Sequence, residues 1–367
     1  MKLRNKITAG FAIFLAVVTA VLGVTLSYES SCGPAASAPD GAKLMKAAQA
    51  RCYGSADVIE IVDVAKPNPA DDEVLVKIMA ASVNPLDWHY LHGSPHFMRL
   101  MIGIGRPDNA SMGVDFAGTV EAVGKNVTRF QPGDEVFGGR DGAFAEYLTV
   151  RESRALAMKP ANISFQQAAA VPIAGVTAIQ ALRDKGKIEA GQKVLINGAS
   201  GGVGTFAVQI AKSLGAEVTA VCSTRNLELV RSLGADQVID YKVDDYTQGD
   251  QRYDLIIDMV GNRGLFANRR VLERDGKFVI VGGGKGDWIA PLMAPIKAWM
   301  LSPFVDQELG MMMAELRPDD LSALADLMQS GELTPVIDRS YRLSELADAI
   351  RYSEEGHARG KIVIDMQ

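Results

Sequence analysis

A strand, a glycine turn and a helix follow one another in the middle of the chain, and this succession constrains the fold most. Residues 193–214 pass from an apolar, β-prone run through Gly-Ala-Ser-Gly-Gly-Val-Gly to the spacing of an amphipathic helix. Gly201 and Gly204 stand where a G-x-G-x-x-G turn has its second and third glycines, and Ala199 replaces the first. A helix that begins at such a turn presents unpaired N–H groups to phosphates. The pattern predicts a dinucleotide site formed by Ser200, Gly201, Gly202, Val203 and Gly204.

Strand and helix patterns continue to alternate beyond this turn. The predicted strands are residues 217–222, 237–240, 253–258 and 276–281, and the predicted helices are residues 227–233 and 265–272. Such alternation is typical of a doubly wound parallel sheet. We therefore expect an α/β fold with a central Rossmann domain.

The end of the second strand of a Rossmann domain usually determines the choice of cofactor. An acidic residue there accepts hydrogen bonds from the ribose of NAD and repels the 2′-phosphate of NADP. Here the residues are Ser223, Thr224, Arg225 and Asn226, whose hydroxyls, guanidinium and amide suit a phosphate. The sequence predicts NADPH as the cofactor. The alternative is a solvated loop in which Asn226 caps the next helix.

Composition excludes several classes of protein. The chain has 367 residues, of which 48% are hydrophobic and 22% charged, as in ordinary globular proteins with room for two domains. The formal net charge is −6 and basic residues are not clustered outside the extreme N-terminus, so nucleic-acid binding is not expected. The three cysteines are too few and too scattered for a disulfide framework or a four-thiolate zinc site.

The N-terminal segment predicts a membrane anchor. Residues 7–28 lack charged side chains and, as a helix, would span on the order of 30 Å, about one hydrocarbon core. A cleaved signal peptide is the alternative, with a basic start and a small-residue cleavage motif at Ala36-Ser37-Ala38. We favour a single-pass anchor in the inner or plasma membrane, followed by a Gly/Pro/Ala/Ser linker. The charges that flank the apolar segment favour catalytic domains outside the cytoplasm, whereas the need for NADPH favours the cytoplasmic side. The side of the membrane on which the catalytic domains lie is therefore left undecided.

A second region, residues 53–166, contains short β-prone runs and glycine-rich turns that predict a mostly antiparallel, barrel-like fold. Its ordered motifs are Ala-Ser-Val-Asn-Pro-Leu-Asp at 81–87, Gly-Val-Asp-Phe-Ala-Gly at 113–118 and Pro-Gly-Asp at 132–134. Those that follow are Ala-Gly-Val-Thr-Ala at 174–178, Arg-Ser-Leu-Gly-Ala-Asp at 231–236 and His-Ala-Arg-Gly-Lys at 357–361.

Together with the glycine turn, these motifs resemble the medium-chain dehydrogenase/reductase superfamily from about residue 45 to the end. Within it the chain resembles the zinc-free quinone oxidoreductase branch, including membrane-anchored bacterial members and the mitochondrial reticulon-interacting reductases. The resemblance implies a GroES-like catalytic domain joined to the Rossmann domain, and a possible homodimer. The expected divisions are 1–41 anchor and linker, 42–166 catalytic domain, 167–305 NADP-binding domain and 306–367 return to the catalytic domain.

The resemblance also implies the residues of the site. Asn84, Asp87 and Trp88 are expected on the substrate side of the nicotinamide, although Trp88 is equally well explained as a packing aromatic and Asn84 as a residue that fixes its loop. The related enoyl reductases place a proton-donating Tyr where this chain has Ser94-Pro95, so Tyr90 or water is the expected donor. The cofactor is expected to contact Thr177, Tyr241, Gly282, Gly283 and Lys361.

No metal is expected in the site. Asn84 stands near the first thiolate position of the zinc-containing branch, and Val114 and Asp115 replace its His-Glu pair. His89, His92 and His96 are expected at a pocket rim, because Gly93 and Pro95 interrupt the helix that would bring them together. Metal ligation by these histidines is the alternative.

The predicted activity is NADPH-dependent hydride transfer to a quinone or an α,β-unsaturated carbonyl. A non-catalytic NADPH-binding sensor or scaffold and a zinc alcohol dehydrogenase are the alternatives.

Overall fold

The computed structural model describes residues 2–34, 38–284 and 286–366. Its helices are α1 Lys2–Ser27, α2 Pro85–His92, α3 Arg99–Ile102, α4 Phe165–Ala169, α5 Pro172–Ile179, α6 Gly202–Ser213, α7 Leu227–Ser232, α8 Leu265–Arg270, α9 Ala290–Leu301, α10 Pro318–Ser330 and α11 Leu346–Glu354. Its strands are β1 Leu44–Ala50, β2 Ile59–Ala65, β3 Glu73–Val83, β4 Asp115–Val123, β5 Glu135–Gly139, β6 Tyr147–Arg151, β7 Leu156–Met158, β8 Lys193–Asn197, β9 Glu217–Cys222, β10 Gln237–Asp240, β11 Tyr253–Asp258, β12 Leu272–Ile280, β13 Glu308–Met311, β14 Ile337–Arg342 and β15 Lys361–Asp365.

The Rossmann sheet forms as predicted. Its strands lie in the order β10-β9-β8-β11-β12-β13, and all neighbouring pairs are parallel. The strand β8 is central, and Val194, Leu195 and Ile196 are fully buried because helices cover both faces of such a sheet. The carboxyl ends of β8 and β9 therefore meet at one edge, where dinucleotides bind in this type of fold.

Two predicted boundaries differ from the structure. The helix α6 begins at Gly202, inside the predicted glycine turn, because the last residues of that turn already form the first turn of the helix. The strand β12 begins at Leu272, which pairs with Tyr253, although its pattern predicts a start at residue 276. The pairing of β11 with β12 is irregular between Tyr253 and Leu255, and this irregularity divides β12 into two parts. The first part lacks the apolar pattern of a strand, so the sequence did not predict it.

The second sheet is mostly antiparallel, as predicted, and contains β14-β15-β3-β4-β5-β7, with β6 paired to β3. Two of its strands come from the C-terminal part of the chain. The strand β15 pairs with β3 in a register that sets Ile362 opposite Val83. This register brings Lys361 next to Asn84, the residue that follows β3. The domain limits at residues 41, 166 and 305 stay predictions.

The predicted membrane anchor is wrong. Among the residues that the structure describes, no helix is both long enough and apolar enough to cross a bilayer. The end of α1 packs on the catalytic domain, where Leu26 is buried and the Arg99 guanidinium donates to the carbonyl oxygens of Leu26 and Tyr28 at 3.0 and 3.1 Å. The predicted Gly/Pro/Ala/Ser linker is thus attached to the domain at its start. Two residues of the predicted cleavage motif, Ala36 and Ser37, lie outside the described residues.

A disulfide between Cys32 and Cys52 fastens the same segment a second time. The two Cα atoms are 4.6 Å apart and the residues are separated by 20 positions. The sequence did not indicate this pair, because the number and spacing of cysteines can indicate a framework of several disulfides but not a single bridge. Cys222 is free and buried at the end of β9.

Candidate active site and cofactor site

The glycine turn lies between the carboxyl end of β8 and the start of α6. Gly198, and not Ala199, takes the left-handed conformation of the tight turn, with φ of 91°. A Cβ added to Gly204 would lie 2.2 Å from the carbonyl oxygen of Gly198, so only glycine allows the helix to pack so close to the strand. The N-cap Gly201 makes no side-chain cap, which leaves the first N–H groups of a 12-residue helix for a ligand. This cradle fits a pyrophosphate.

The adenosine end of the expected site lies at the carboxyl end of β9. Asn226 is 5% exposed, and its Nδ2 donates to Ser200 Oγ at 2.8 Å and to Ser223 Oγ at 3.2 Å. Its Oδ1 is buried and has no hydrogen-bond partner among the described residues. A buried acceptor without a partner is costly, so the site fits a ligand that donates to it, such as a ribose hydroxyl. The predicted helix cap is absent, because Asn226 makes no side-chain cap of α7.

The residues predicted for the 2′-phosphate lie beside Asn226 but differ in their partners. The Thr224 hydroxyl donates to Asp240 Oδ2 at 2.5 Å. Arg225 is exposed, and its Nη2 donates to the carbonyl oxygen of His357 at 2.7 Å. Tyr241 follows β10 and is 43% exposed. Ser223, Arg225 and Tyr241 therefore lie at one edge of the sheet. Thr224 lies there too, but its hydroxyl is hydrogen-bonded to Asp240.

A buried polar cluster faces the glycine turn from the catalytic domain. Asn84 Nδ2 donates to Asp115 Oδ2 at 2.9 Å, and Lys361 Nζ donates to Asn84 Oδ1 at 2.5 Å. Asp115 also accepts from the hydroxyl of Ser82 at 3.1 Å and, through Oδ1, from the Ile173 N–H at 3.0 Å. The Asn84 N–H donates to Asp87 Oδ2 at 2.7 Å, which closes the first turn of α2 as a capping box. The cluster thus ties β3, β4, β15, α2 and α5 together.

Burial dominates the ionisation of this cluster. It raises the pKa of Asp87 to about 7, although the Asn84 N–H favours the charged form. It also raises the pKa of Asp115, against the attraction of Lys361, and lowers the pKa of Lys361, against the attraction of Asp115 and Asp87. The ammonium and the Asp115 carboxylate are 3.5 Å apart and both are almost fully buried. Burial therefore favours the neutral form of all three groups, whereas the attraction between Lys361 and the two carboxylates favours their charged forms.

The two aromatic residues predicted for the substrate side differ in position. Trp88 lies against His89 with ring centroids 3.7 Å apart and packs against a core that includes Leu91 and Ile350, as the packing explanation predicts, while its place on the substrate side stays a prediction. Its Nε1 is buried without a partner among the described residues. Tyr90 is 44% exposed, and partial burial raises its pKa.

The residues expected around the nicotinamide lie at the ends of α5 and β12. The Thr177 hydroxyl donates to the carbonyl oxygen of Ile173 within α5 at 2.7 Å. A Cβ at Gly282 would lie 2.1 Å from the carbonyl oxygen of Met259, so the chain needs glycine where it leaves the sheet. A Cβ at Gly202 would lie 3.2 Å from the Cδ of Lys361, which places the lysine stem over the glycine turn.

The three clustered histidines do not converge. His89 Nδ1 lies 2.8 Å from the carbonyl oxygen of Ser94, His92 Nε2 lies 2.9 Å from Glu354, and His96 stacks edge-on against Trp288. Within the part of the chain that the structure describes, no group of three or more His, Cys, Asp or Glu side chains could hold a metal ion.

One residue of the polar cluster was not predicted as a site residue. Asp115 is 0% exposed and contacts Asn84, Lys361, Ser82 and the N-terminus of α5. The sequence identified it only as one of the two residues that replace the His-Glu pair of the zinc-containing branch. An Asp at the start of a mostly apolar strand, before Phe116 and Ala117, is the signal that could have identified it.

Comparisons with known proteins agree with this geometry. Residues 70–160 match the alcohol dehydrogenase GroES-like domain and residues 233–364 match the zinc-binding dehydrogenase family. The chain is 34% identical over 341 residues to a chloroplastic quinone-oxidoreductase, QR1, of Triphysaria versicolor, covering 88% of this chain and 99% of the relative. It is 33% identical over 341 residues to a chloroplastic NADPH-dependent alkenal/one oxidoreductase of Arabidopsis thaliana, covering 88% and 80%.

Among solved structures, the chain superposes on the quinone oxidoreductase from Coxiella burnetii with a TM-score of 0.76 and 29% identity, covering 89% of this chain and all of that one. The resemblance found in the sequence motifs is thereby confirmed over both domains. The chain belongs to the quinone oxidoreductase branch of the medium-chain dehydrogenase/reductase superfamily.

Proposed function

We propose that the protein is an NADPH-dependent oxidoreductase that transfers hydride to a quinone or an α,β-unsaturated carbonyl. The observation that carries the proposal is the meeting of the glycine turn with the buried Asn84–Asp115–Lys361 cluster, which the stem of Lys361 joins at Gly202. Relatives with both activities in their names support the acceptor class.

NADPH would be held by the residues predicted from the sequence. The glycine turn would receive the pyrophosphate, Asn226 the adenosine ribose, and Ser223 and Arg225 the 2′-phosphate, with Thr224 and Tyr241 beside them. Thr177, Gly282, Gly283 and Lys361 would enclose the nicotinamide end. When bound, the cofactor supplies the hydride, and the protein's task is to place the acceptor and stabilise the charge that develops on it.

The substrate oxygen becomes negative as the acceptor carbon gains the hydride, so a donor must meet it. Asn84 is the proposed donor, because its Nδ2 carries a second hydrogen beyond the one given to Asp115. Asp87 supports it by accepting the Asn84 N–H, and Trp88 supports it by fixing α2 against the core. The partly exposed Tyr90, or water, would then supply the proton that completes reduction.

The test is consumption of NADPH by the purified chain with a panel of small quinones and enones. We expect turnover with NADPH that a chelator does not reduce. Gly204→Val is the matched control, because its side chain would clash with the Gly198 carbonyl and close the cradle. NADPH binding without oxidation of any acceptor would favour a sensor, and stoichiometric zinc needed for activity would favour an alcohol dehydrogenase.

The homodimer also stays a proposal for this chain. Sedimentation velocity of the purified protein would measure the mass of the particle, and a monomer at all concentrations would contradict it.

A further inference from the structure

Lys361 is a buried side chain that touches both domains. The residue is 3% exposed, its stem lies over Gly202 of the cofactor turn, and its Nζ donates to Asn84 Oδ1. The backbone on either side is fixed as well, because the Gly360 N–H donates to the carbonyl oxygen of Ser200 and the Lys361 N–H to that of Val336. These contacts therefore fix the position of the Lys361 ammonium.

The two partners of the Asn84 amide determine which way the amide faces. Oδ1 accepts from the Lys361 ammonium, and Nδ2 donates to Asp115 Oδ2. A flipped amide would set its NH2 group against the ammonium and its oxygen against the carboxyl group, which is unfavourable on both sides. The chemistry of the neighbours thus fixes the orientation and leaves one N–H of the amide available.

We propose that Lys361 is a positioning residue for hydride transfer, whose ammonium holds and polarises the Asn84 amide so that its second N–H donates to the acceptor oxygen. The inference rests on the proposed function, in which that oxygen becomes negative. A cation on the amide oxygen strengthens the N–H donors on the other side, because hydrogen bonds in a low-dielectric site polarise one another. This role differs from the cofactor contact that the sequence predicted for Lys361.

The first test separates the two roles of Lys361. Lys361→Met keeps the length and apolar stem and removes the charge. Lys159→Met is the matched control, since Lys159 is also buried and donates to the carbonyl oxygens of Pro160 and Ile163, on another part of the catalytic domain. We expect single-turnover hydride transfer at saturating NADPH to slow by about tenfold or more in Lys361→Met, with the NADPH dissociation constant within about threefold of the parent. The control should change neither quantity.

A weaker NADPH complex with normal hydride transfer would overturn the proposal and make Lys361 a cofactor ligand. A double-mutant cycle sharpens this result, since a residue that acts only through Asn84 has no further effect once Asn84 is gone. Lys361→Met should therefore not slow an Asn84→Ala protein further. An additional loss of about tenfold in that background would contradict the proposal.

A third measurement needs no acceptor, so it separates failure of this inference from failure of the proposed function. In protein labelled with ¹⁵N at asparagine, the side-chain amide signals of Asn84 are identified by their loss in Asn84→Ala. We expect these signals to shift and to exchange faster with water in Lys361→Met, but not in Lys159→Met. Unchanged Asn84 amide signals in folded Lys361→Met would overturn the positioning role.

Discussion

The guanidinium of Arg225 donates from Nη2 to the carbonyl oxygen of His357 over 2.7 Å, which joins the end of β9 to the loop before β15. The residues are separated by 132 positions, and the loop leads directly to Lys361. A guanidinium has five N–H donors, so this bond leaves others for a phosphate. The arginine predicted to select the cofactor thus also contacts the segment that closes the site.

Arg225→Asp should remove the preference for NADPH. The substitution replaces a phosphate-binding cation by an anion, and one charge-assisted bond contributes about 1.5 to 3 kcal/mol, or tenfold or more in affinity. Titration of the parent and the variant with NADPH and NADH gives the four dissociation constants. Arg154→Asp, at an exposed position, controls for the change in net charge. Equal binding of the two cofactors by the parent protein would contradict the assignment.

Asn84→Ala should lower both turnover and stability. Loss of a transition-state donor typically slows catalysis by roughly a hundredfold. The same change deprives Lys361 and Asp115 of a buried partner, which should destabilise the fold by about 1 to 3 kcal/mol. Single-turnover hydride transfer is measured well below the melting temperature of the variant. Normal transfer in a destabilised variant would leave Asn84 with the purely structural role of fixing its loop.

Asp87→Asn should make the protein more stable above neutral pH. Burial raises the Asp87 pKa from 3.8 to about 7, so the folded protein keeps a proton that the unfolded chain loses. The contribution of Asp87 to stability is therefore complete below pH 3.8 and is lost as the pH rises to about 7. An amide still accepts the Asn84 N–H but does not ionise.

Urea unfolding at several pH values checks this expectation. The free energy of unfolding of Asp87→Asn, relative to that of the parent, should rise between pH 4 and 7. Above pH 7 the difference should have grown by about 1 to 4 kcal/mol. Asp71→Asn, at an exposed carboxyl, should show no such trend. A constant difference between Asp87→Asn and the parent across the whole range would show that Asp87 stays ionised in the folded protein.

Cys32→Ser should destabilise the attachment of the N-terminal segment. A disulfide across 20 positions reduces the entropy of the unfolded chain and typically stabilises a fold by about 3 kcal/mol. Unfolding midpoints of parent and variant, with and without a reductant, measure the difference. The variant should be insensitive to the reductant, whereas Cys222→Ser, which keeps the disulfide, should lose stability on reduction as the parent does. An identical midpoint for parent and Cys32→Ser without reductant would contradict a stabilising role.

Local patterns were sufficient to predict most of the fold. The strands β8 to β11 appeared as apolar runs because helices cover both faces of a parallel sheet. Gly201 and Gly204 marked the turn, and at Gly204 close packing against the Gly198 carbonyl admits no side chain. The attachment of α1 could not be predicted in this way. It depends on Arg99 and Cys52, which are far along the chain and carry no pattern that points to residues 26–32.

The sequence motifs named most residues of the candidate site, but not Asp115 and not the contacts between them. Asn84 and Lys361 were both named from motifs, yet their hydrogen bond depends on the register between β3 and β15, which is set by the whole sheet. Trp88 was expected on the substrate side, which stays a prediction, and the packing of its ring against the core was not visible in the motif. Burial and register are properties of the assembled fold, so they are the part that motifs leave out.

Isotope transfer from NADPH shows whether the protein passes hydride to the carbon of a quinone or enone. The purified protein is supplied with NADPH deuterated at C4 of the nicotinamide, in separate preparations for the two faces, together with an enone and a chelator. We expect deuterium from only one of the two preparations to appear in the product, at the β-carbon of the former enone, at a rate equal to NADPH consumption. Product without deuterium from either preparation, or a complete loss of turnover on adding the chelator, would contradict it.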